Sequence, residues 1–526
     1  MKSEKQYTHS SMMRSAGLFG VLTMISRILG FVRDRLFAGL FGTSVYADAF
    51  IIAFTIPNMF RMLLGEGALS GAFIPVFTKK LHDDGEDSAW LFANRMLTIL
   101  SVVLILLILL VCLILGGFLF FDISLRMREI VILSIILLPY MFFICNVGLL
   151  MGVLNTFYHF FLPAFAPAIL NAIIIVTLLV LQFANHLHEH TQVVIVSFSV
   201  LFGGFVQFML HILAANKKGM KYRFSLKISQ GVKQVWFLML PAILGLSITQ
   251  INLVVDRLLA LMIGTGVTSC LYYSNRFIQL PIGVFGVAIA TASFPMLAKY
   301  ASANKIADFK YVLSQSLKMT FMIALPATAG LMAMSYPVVR MLFEHKQFDS
   351  QASQATAFVL FFYCIGLVGY CSNKVIIRGF YSLHDTVTPM RIGLLGLAMN
   401  IVLNLLLMIP LKGGGLALST SVTAVATLFL LGYALHKKIG TFLSEDFYRA
   451  VAGSLVCSII MGVLVYAFYL ILEHVIPQMP VKILITGLVP VVCGAVAYMG
   501  MMYFLNKEDV LKILEIFRIR KRRNAV

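Results

Sequence analysis

Charged residues are scarce in this chain, and the scarcity excludes a soluble protein. Only 12% of the 526 residues are Asp, Glu, Lys or Arg, whereas 60% are hydrophobic, and the mean hydropathy is +0.94. A soluble domain of this length would lack the polar residues to cover its surface. Because about 20 apolar residues make one membrane-spanning helix, the long apolar runs predict an all-α polytopic membrane protein.

Motifs that signal enzyme chemistry are also missing. The chain has no G-x-x-x-x-G-K-[ST] phosphate loop, no nucleophile elbow, no H-E-x-x-H motif, and no polar connection long enough to fold as a separate domain. A polyprenyl-dependent glycosyltransferase would need acidic catalytic residues and large loops, and neither is evident. We therefore predict that the protein is not an enzyme and has no resident cofactor. A non-transporting scaffold for cell-envelope assembly stays open as an alternative.

Cysteine pairs and metal-ligand spacings are absent too. All seven cysteines lie inside apolar segments and none belongs to a C-x-x-C motif, which predicts free thiols and no metal site. His186, His188 and His190 alternate in a polar loop that we interpret as solvated. Residues 1–14 are not followed by a short apolar run with a cleavage site, so no removable signal peptide is expected.

Fourteen apolar segments are long enough to cross a bilayer. The segment DRLFAGLFGTSV (34–45) recurs as DRLLALMIGTGV (256–267), identical at seven of twelve positions, and TFYHF (156–160) is echoed by GFYSL (379–383). The matches predict two six-helix lobes related as parallel repeats, residues 1–216 and 217–438, followed by two more helices within 439–526. The predicted spans are 15–41, 44–78 (interrupted), 90–120, 129–156, 161–184, 191–215, 235–263, 267–298, 315–343, 353–382, 387–410, 413–436, 448–473 and 481–505.

The net charge of +19 follows from topology rather than from nucleic-acid binding. Lys and Arg cluster in alternate connections and in the C-terminal tail, whereas the intervening loops hold fewer of them. By the positive-inside rule, the basic connections and both termini are cytoplasmic. Residues 508–520 place several apolar side chains on one side, which predicts a short interfacial helix.

One stretch, residues 26–77, combines two apolar spans with seven charges. Each charge near the centre of a bilayer costs at least about 2.5 kcal/mol, so they cannot face lipid and we expect most of them in a watery cavity lined by protein. Pro57 and the Gly65–Gly67 segment predict that the second span is kinked or broken. The seven charged residues are Arg27, Arg33, Asp34, Arg35, Asp48, Arg61 and Glu66.

The arginines outnumber the acids available to neutralise them, which predicts an anionic ligand. Arg27, Arg33, Arg61 and Arg276 are candidates for binding phosphate oxygens. Asp256 is the repeat counterpart of Asp34 and a candidate for a coupling cation, sodium or proton, although it could equally pair with a neighbouring arginine. Four residues remain less decided: Arg35 and Arg257 are interpreted as structural, and Lys374 and Arg378 stay open.

The segments SRILGFVRDRLFAGLFG, DAF, PNMFR and GEGALSGAFIPVF resemble the MurJ (MviN) family of lipid II flippases, in the superfamily that includes the multidrug MATE exporters. The resemblance implies a monomeric transporter of fourteen helices in the bacterial inner membrane. Such a transporter moves the undecaprenyl-pyrophosphate-linked peptidoglycan precursor from the inner to the outer leaflet by alternating access, driven by membrane potential or an ion gradient. A flippase for another polyprenyl-linked saccharide and a MATE-like exporter are the alternatives.

The resemblance also assigns residues. It matches the cavity arginines of the family to Arg27, Arg33 and Arg276, and other polar cavity residues to Asp34, Asp48, Arg61 and Glu66. It further implies that the last two helices form a groove for the lipid tail, and that some members bind sodium in the second lobe, where Asp256 matches in position only. A MATE-type exporter of organic cations should instead present unpaired carboxylates, so the sign of the charge disfavours it.

Overall fold

The computed structural model describes residues 9–184, 186–477, 479, 481–509 and 511. In these residues the chain is helical, and the extended backbone pairing is limited to one isolated bridge between His345 and Phe348. Contacts divide the chain into two compact units, Met1–Val254 and Val255–Val526. The predicted lobe boundaries at 216/217 and 438/439 stay predictions.

The first unit contains eight helices and most of a ninth. One π-helical segment, Arg61–Ala68, connects the second helix to the third. Two helices begin at a side chain that caps a free backbone amide: the hydroxyls of Ser44 and Ser124 accept from the amides of Ala47 and Met127, each at 3.4 Å. The nine helices are α1 (His9–Phe41), α2 (Val45–Phe60), α3 (Leu69–Asp83), α4 (Gly85–Phe118), α5 (Leu125–Leu137), α6 (Tyr140–Thr156), α7 (Phe161–Leu181), α8 (Glu189–Lys217) and α9 (Gln230–Ile263).

The second unit begins inside α9 and holds a second π-helical segment, Ile282–Gly286. The Asp349 carboxylate caps one of its helices by accepting the Ala352 amide at 2.8 Å. The helices are α10 (Val267–Pro281), α11 (Val287–Ser302), α12 (Ile306–Ala333), α13 (Ser335–Phe343), α14 (Ser350–Ile365), α15 (Leu367–Ser382), α16 (Val387–Leu411), α17 (Gly413–Ile439), α18 (Glu445–Val475) and α19 (Lys482–Leu505).

The order of helices in the first unit recurs in the second. Each unit has two helices joined through a π-helical segment, α2 to α3 and α10 to α11. The packing partners recur as well: α2 packs on α5, α3 on α6 and α6 on α8, and their counterparts α10, α11 and α15 pack on α14, α15 and α17. The helices α13, α18 and α19 lie outside this correspondence. The sequence repeat therefore reflects a repeated helical arrangement within each unit.

The kink predicted near Pro57 takes the form of a wider helix. Pro57 has no backbone N–H donor, and the glycines of the Gly65–Gly67 segment are conformationally flexible. The α-helical hydrogen bonds are therefore weakened on both sides of Arg61. The chain continues through the π-helical segment Arg61–Ala68 without leaving the helix, and π-helical turns of this kind often occur at functional sites. The span is therefore modified, not broken.

Among the described residues, eleven continuous helical stretches are long and apolar enough to cross a membrane. Three of them join two numbered helices, as α2 and α3 do in Val45–Asp83. The number is twelve if α14 and α15, which meet at an angle of 41°, form one span. This establishes a polytopic helical membrane protein, and the arrangement of fourteen spans stays a prediction. All seven cysteines are free, as predicted, although Cys493 is exposed. The interfacial helix predicted for 508–520 lies mostly outside the described residues.

Candidate functional site

An arginine and an aspartate form an ion pair in the last third of α1. Arg33 donates from Nε and Nη2 to Oδ1 of Asp34, at 3.0 and 2.7 Å. Its Nη1 donates to Oδ1 of Asn171 on α7 at 3.0 Å, and the Asn171 amide donates to the Ser26 carbonyl at 3.1 Å. The Asp34 side chain is 4% exposed and that of Arg33 is 14% exposed. Packing of α7 against α1 therefore holds the guanidinium in one orientation.

The other two arginines of α1 differ from Arg33. Arg27 lies two turns before Asp34, on the same side of the helix as the seven-residue spacing predicts, and its side chain is exposed. Among the residues that the structure describes, Arg27 has no ion-pair partner. Arg35 is also exposed, and the neighbouring acid Asp34 is bonded to Arg33 instead. The predicted roles of Arg27 in binding and of Arg35 in structure stay predictions.

Asp48 lies in the first turn of α2 and is fully buried. Its Oδ2 accepts a hydrogen bond from Nη2 of Arg126 on α5 at 2.9 Å. A carboxylate in the first turn also faces the positive end of its helix. The structure thus gives Asp48 a cationic partner 78 residues away in the sequence, and it provides an electrostatic reason for the packing of α2 on α5.

Arg61 is the first residue of the π-helical segment. Its Nε donates to Oδ1 of Asn58 at 2.9 Å, one turn earlier, which agrees with the predicted shared face of these two residues. Asn58 carries no charge and does not neutralise Arg61. Glu66 belongs to the same segment, and its side chain lies outside the described ones. Its predicted role stays a prediction.

Asp256 sits near the end of α9, buried among neutral polar groups of α16 and α17. Its Oδ1 accepts from Nδ2 of Asn404 at 2.6 Å and its Oδ2 from the Thr420 hydroxyl at 3.4 Å. Asn404 also donates to Oδ1 of Asn400 at 2.8 Å. Asp34 and Asp256 are repeat counterparts in different settings, because Val255 occupies the place that Arg33 has beside Asp34. The second unit therefore gathers carboxylate, amide and hydroxyl oxygens in one place.

Arg276 and Arg257 both approach the ring of Tyr272. The Arg276 guanidinium carbon lies 4.6 Å from the ring centroid, and that of Arg257 lies 5.8 Å from it. Arg276 also donates from Nη2 to the Tyr272 hydroxyl. All three side chains are partly exposed. Tyr272 is neutral, so it orients Arg276 without cancelling its charge.

Three groups from the sequence analysis lie elsewhere. Lys374 is exposed on α15, and the exposed Arg378 lies over the Phe294 ring with 5.2 Å to its centroid. In the histidine loop, His190 contacts Glu129 on α5, with Nδ1 and Oε2 2.8 Å apart. Among the described residues no group of three or more His, Cys, Asp or Glu could hold a metal ion.

Sequence reasoning missed the partners that come from distant helices. Asn400 and Asn404 are spaced by one helical turn in an otherwise apolar segment, and that stripe of two amides was the available signal. Asn171 is likewise a single amide in an apolar run. Arg126 and Tyr272 carried no such signal, because their roles arise only when their helices pack beside α2 and α9. Asn171 and Arg126 thus add polar contacts in the first unit, and Asn400, Asn404 and Tyr272 add them in the second.

These arrangements serve two kinds of chemistry. Arg27 is exposed, Arg61 donates to Asn58 and Arg276 to Tyr272, and guanidinium groups bind phosphate oxygens well. The oxygens around Asp256 are the type of ligand that hard cations prefer.

Comparison with known proteins places the chain among lipid-linked precursor transporters. The family model described as lipid II flippase MurJ matches residues 37–486. A curated relative from Rhizobium meliloti (strain 1021), named probable lipid II flippase MurJ, is 33% identical over 431 residues, which cover 80% of each chain. The match thus extends over most of both sequences.

Solved structures agree. The chain is similar to a structure titled lipid II flippase MurJ, inward closed conformation, with a TM-score of 0.78, 26% identity, and coverage of 93% of this chain and 99% of the other. It also resembles a multidrug resistance MATE family transporter of the MOP superfamily in an inward-facing conformation. There the TM-score is 0.65 at 15% identity, covering 81% of this chain and 100% of the other, a likeness that concerns the fold alone.

Proposed function

The chain belongs to the MurJ family of lipid II flippases, and from that premise we propose that it moves lipid II from the inner to the outer leaflet of the bacterial cytoplasmic membrane. The observation that carries the proposal is the family match over residues 37–486. The protein is a multi-pass membrane protein, which agrees with a lipid-borne substrate. Its substrate is the peptidoglycan precursor linked to undecaprenyl pyrophosphate.

The pyrophosphate group is the part of the substrate that the arginines would bind. Arg27 is exposed, and Arg61 and Arg276 contact the neutral residues Asn58 and Tyr272. Guanidinium groups bind phosphate through two parallel N–H donors, which gives orientation as well as charge complementarity. Arg33, paired with Asp34, would exchange or share its partner when an anion arrives. The proposed substrate-binding set also keeps Asp48 and Glu66.

Transport would proceed by alternating access of two six-span lobes, with fourteen spans in all. The repeated helix order and packing partners of the two units support this arrangement. The helices α1 and α9, which are not among the eleven apolar spans, would cross the membrane with their charged residues toward protein. Both termini would be cytoplasmic and the protein a monomer, with α18 and α19 beside the lipid tail.

The energy source in this proposal is the membrane potential or an ion gradient, coupled through Asp256. The carboxylate, with the amide oxygen of Asn400 and the hydroxyl of Thr420 nearby, offers oxygen ligands suited to sodium. A proton bound by the same carboxylate is the alternative. Replacement by asparagine keeps the shape and removes the charge, so Asp256→Asn should abolish the dependence of transport on the coupling ion.

A leaflet-resolved lipid II assay tests the function. Proteoliposomes containing the protein should expose added lipid II on the opposite leaflet, and depletion in cells should make lipid II accumulate on the inner leaflet. Arg27→Ala and Arg276→Ala should abolish the transfer at normal expression, whereas the exposed Arg391→Ala should not. An unchanged leaflet distribution after depletion would contradict the proposal.

A flippase for another polyprenyl-linked saccharide is the second candidate, because the pyrophosphate site would be the same. Competition between lipid II and other polyprenyl-pyrophosphate saccharides in the same proteoliposomes separates the two. A MATE-like exporter of organic cations is disfavoured by the arginines. Such an exporter would transport an organic cation in these vesicles and leave lipid II where it was added.

A further inference from the structure

The connection between α8 and α9 follows the surface of the membrane. The span α8 ends at Lys217, and α9 begins at Gln230. From residue 221 to residue 229 the backbone is neither helix nor strand and makes no turn or bend. A straight segment of this kind does not bond its own amides and carbonyls, and hydrocarbon offers them no partners. The connection therefore lies where water and lipid headgroups reach its backbone.

Contacts with α4 fix the depth of this connection. Nδ2 of Asn94, which is 2% exposed, donates to the Lys221 carbonyl at 2.8 Å. One turn further along α4, the Thr98 hydroxyl lies 3.2 Å from the Tyr222 hydroxyl. One turn before Asn94 is Trp90, and tryptophan is enriched where a span enters the headgroup region. The start of the connection is therefore held against α4 at the level of the membrane–water interface.

Cations and large apolar side chains alternate along the connection. In a straight segment successive side chains point to opposite sides, so every second residue shares a side. The odd positions 221, 223 and 227 are Lys, Arg and Lys, and all three are exposed. The even positions hold four large apolar side chains: Tyr222 is 49% exposed, Phe224 67%, Leu226 53% and Ile228 62%. A segment with one apolar and one cationic side is typical of the membrane–water interface.

Arg95 adds a fourth cation beside the same contact. It follows Asn94 on α4, and its Nε is buried with no hydrogen-bond partner among the residues that the structure describes. Leu91 and Val103, one turn before it and two turns after it, are 38% and 44% exposed, so this side of α4 faces lipid. An arginine on a lipid-facing side extends its guanidinium toward the headgroups. Arg95 therefore supplies positive charge at headgroup level near the connection.

We propose that the connection 221–228, together with Arg95, binds the anionic headgroups of phospholipids and inserts its apolar side into the same leaflet. Charge complementarity identifies the partner. The positive-inside rule predicts that this connection is cytoplasmic, and the cytoplasmic leaflet carries anionic lipids that attract basic segments. An acidic protein segment would satisfy the cations, whereas a bilayer satisfies the cations and the apolar side together. The inference goes beyond the proposed function, because it does not depend on which lipid is transported.

Spin labels measure the predicted immersion. The full-length protein carries Cys493→Ser, which removes the exposed native thiol, and a nitroxide at Phe224→Cys or at Ser225→Cys. It is placed in nanodiscs of phosphatidylcholine, alone or mixed with phosphatidylglycerol. The accessibility of the label to oxygen and to a water-soluble nickel chelate gives its depth, and the same background without the new cysteine is the labelling control. The label at 224 should lie deeper than the label at 225, and phosphatidylglycerol should shift it toward the acyl chains.

Neutralising the cations of the connection should abolish this shift. The triple variant combines Lys221→Gln, Arg223→Gln and Lys227→Gln and should lose the shift, whereas Arg95→Gln alone should reduce it. The matched control removes the same charge at three exposed lysines elsewhere and should keep the shift. Its changes are Lys299→Gln, Lys305→Gln and Lys437→Gln. In the wild type about 1 M salt, where the screening length is about 3 Å, should also remove the shift.

Three outcomes would overturn the inference. A label at 224 that stays in water at every lipid composition would exclude the bilayer and point to an acidic protein segment instead. Immersion that is equal with and without phosphatidylglycerol would show apolar anchoring without headgroup recognition. Equal loss in the triple variant and its control would assign the shift to net charge. Lipid II transport is a separate measurement, so each of these outcomes leaves the proposed function standing.

Discussion

The most decisive prediction on stability concerns Lys318, a buried cation at the junction of three chain segments. The side chain is 3% exposed in α12, and its Nζ donates to Oδ2 of Asp446 at 2.7 Å and to Oδ1 of Asp509 at 2.8 Å. Asp446 lies in the first turn of α18, and Asp509 follows α19. One lysine thus joins the last two helices to α12.

The expected cost of removing Lys318 follows from the burial of its partners. Asp509 is 6% exposed and would lose the Lys318 cation inside the protein while keeping the hydrogen bond from the Asn506 amide at 2.6 Å, whereas Asp446 is 54% exposed and would be solvated. Breaking a buried ion pair on one side costs about 3–5 kcal/mol. We therefore expect Lys318→Met to lower the free energy of unfolding by about 3–4 kcal/mol.

A double-mutant cycle measures this energy in detergent micelles titrated with SDS. Asp446→Asn should cost under about 1 kcal/mol, because its partner is solvent-screened. Lys318→Met combined with Asp509→Leu should recover much of the loss, since no charge is then stranded. A cost below about 1 kcal/mol for Lys318→Met, or no recovery in the double variant, would refute the reasoning.

Three further predictions use the same unfolding measurement. Arg126→Met removes the cation that donates to the fully buried Asp48 and should cost up to about 5 kcal/mol. The exposed neighbour Arg128→Met should be near neutral, and equal effects of the two changes would contradict the ion-pair account. Burial alone would raise the pKa of the Asp385 carboxyl, but hydrogen bonds from Lys438 and Thr388 lower it to about 2. The ionised carboxylate therefore stabilises the folded protein above about pH 3.8, and this stabilisation is lost as the pH falls toward 2. Asp385→Asn should lower the free energy of unfolding by about 1 kcal/mol at neutral pH. A difference in this free energy between Asp385→Asn and wild type that persists at pH 2 would contradict the prediction. A Cβ at Gly415 would lie 2.0 Å from the Leu407 carbonyl oxygen, so Gly415→Ala should lower the free energy of unfolding by at least about 2 kcal/mol. A Cβ at Gly432 would meet open space, so Gly432→Ala should not destabilise the protein.

Patterns along the chain were sufficient for the membrane class and the family. A hydrophobic span is a local property, and a motif such as the one around Arg27 and Arg33 is contiguous, so both can be read without coordinates. The repeat near Asp34 and Asp256 likewise predicted the recurring helix order. A kink or break was predicted at Pro57 and the Gly65–Gly67 segment, and the structure has a π-helical segment, Arg61–Ala68, in this region.

Partners across helices could not be predicted in the same way. Arg33 and Asp34 are adjacent in the sequence, but Asn171, which orients the guanidinium, comes from α7. Asp48 and Arg126 are likewise far apart along the chain, separated by 78 residues. The sequence shows more arginines than acids in the stretch 26–77. It could not show which of these arginines lies beside an acid in the folded protein. That depends on the rotation and depth of each packed helix.

The sequence alone determined that the chain is a polytopic helical protein of the MurJ family, because span hydropathy and contiguous motifs depend only on near neighbours. Tertiary structure alone decided the surroundings of these charges: an ion pair for Asp34, amide and hydroxyl donors for Asp256, and an aromatic ring near both Arg257 and Arg276. The physical reason is that electrostatic interactions act over a few ångströms in space. Helix packing, rather than sequence separation, sets those distances.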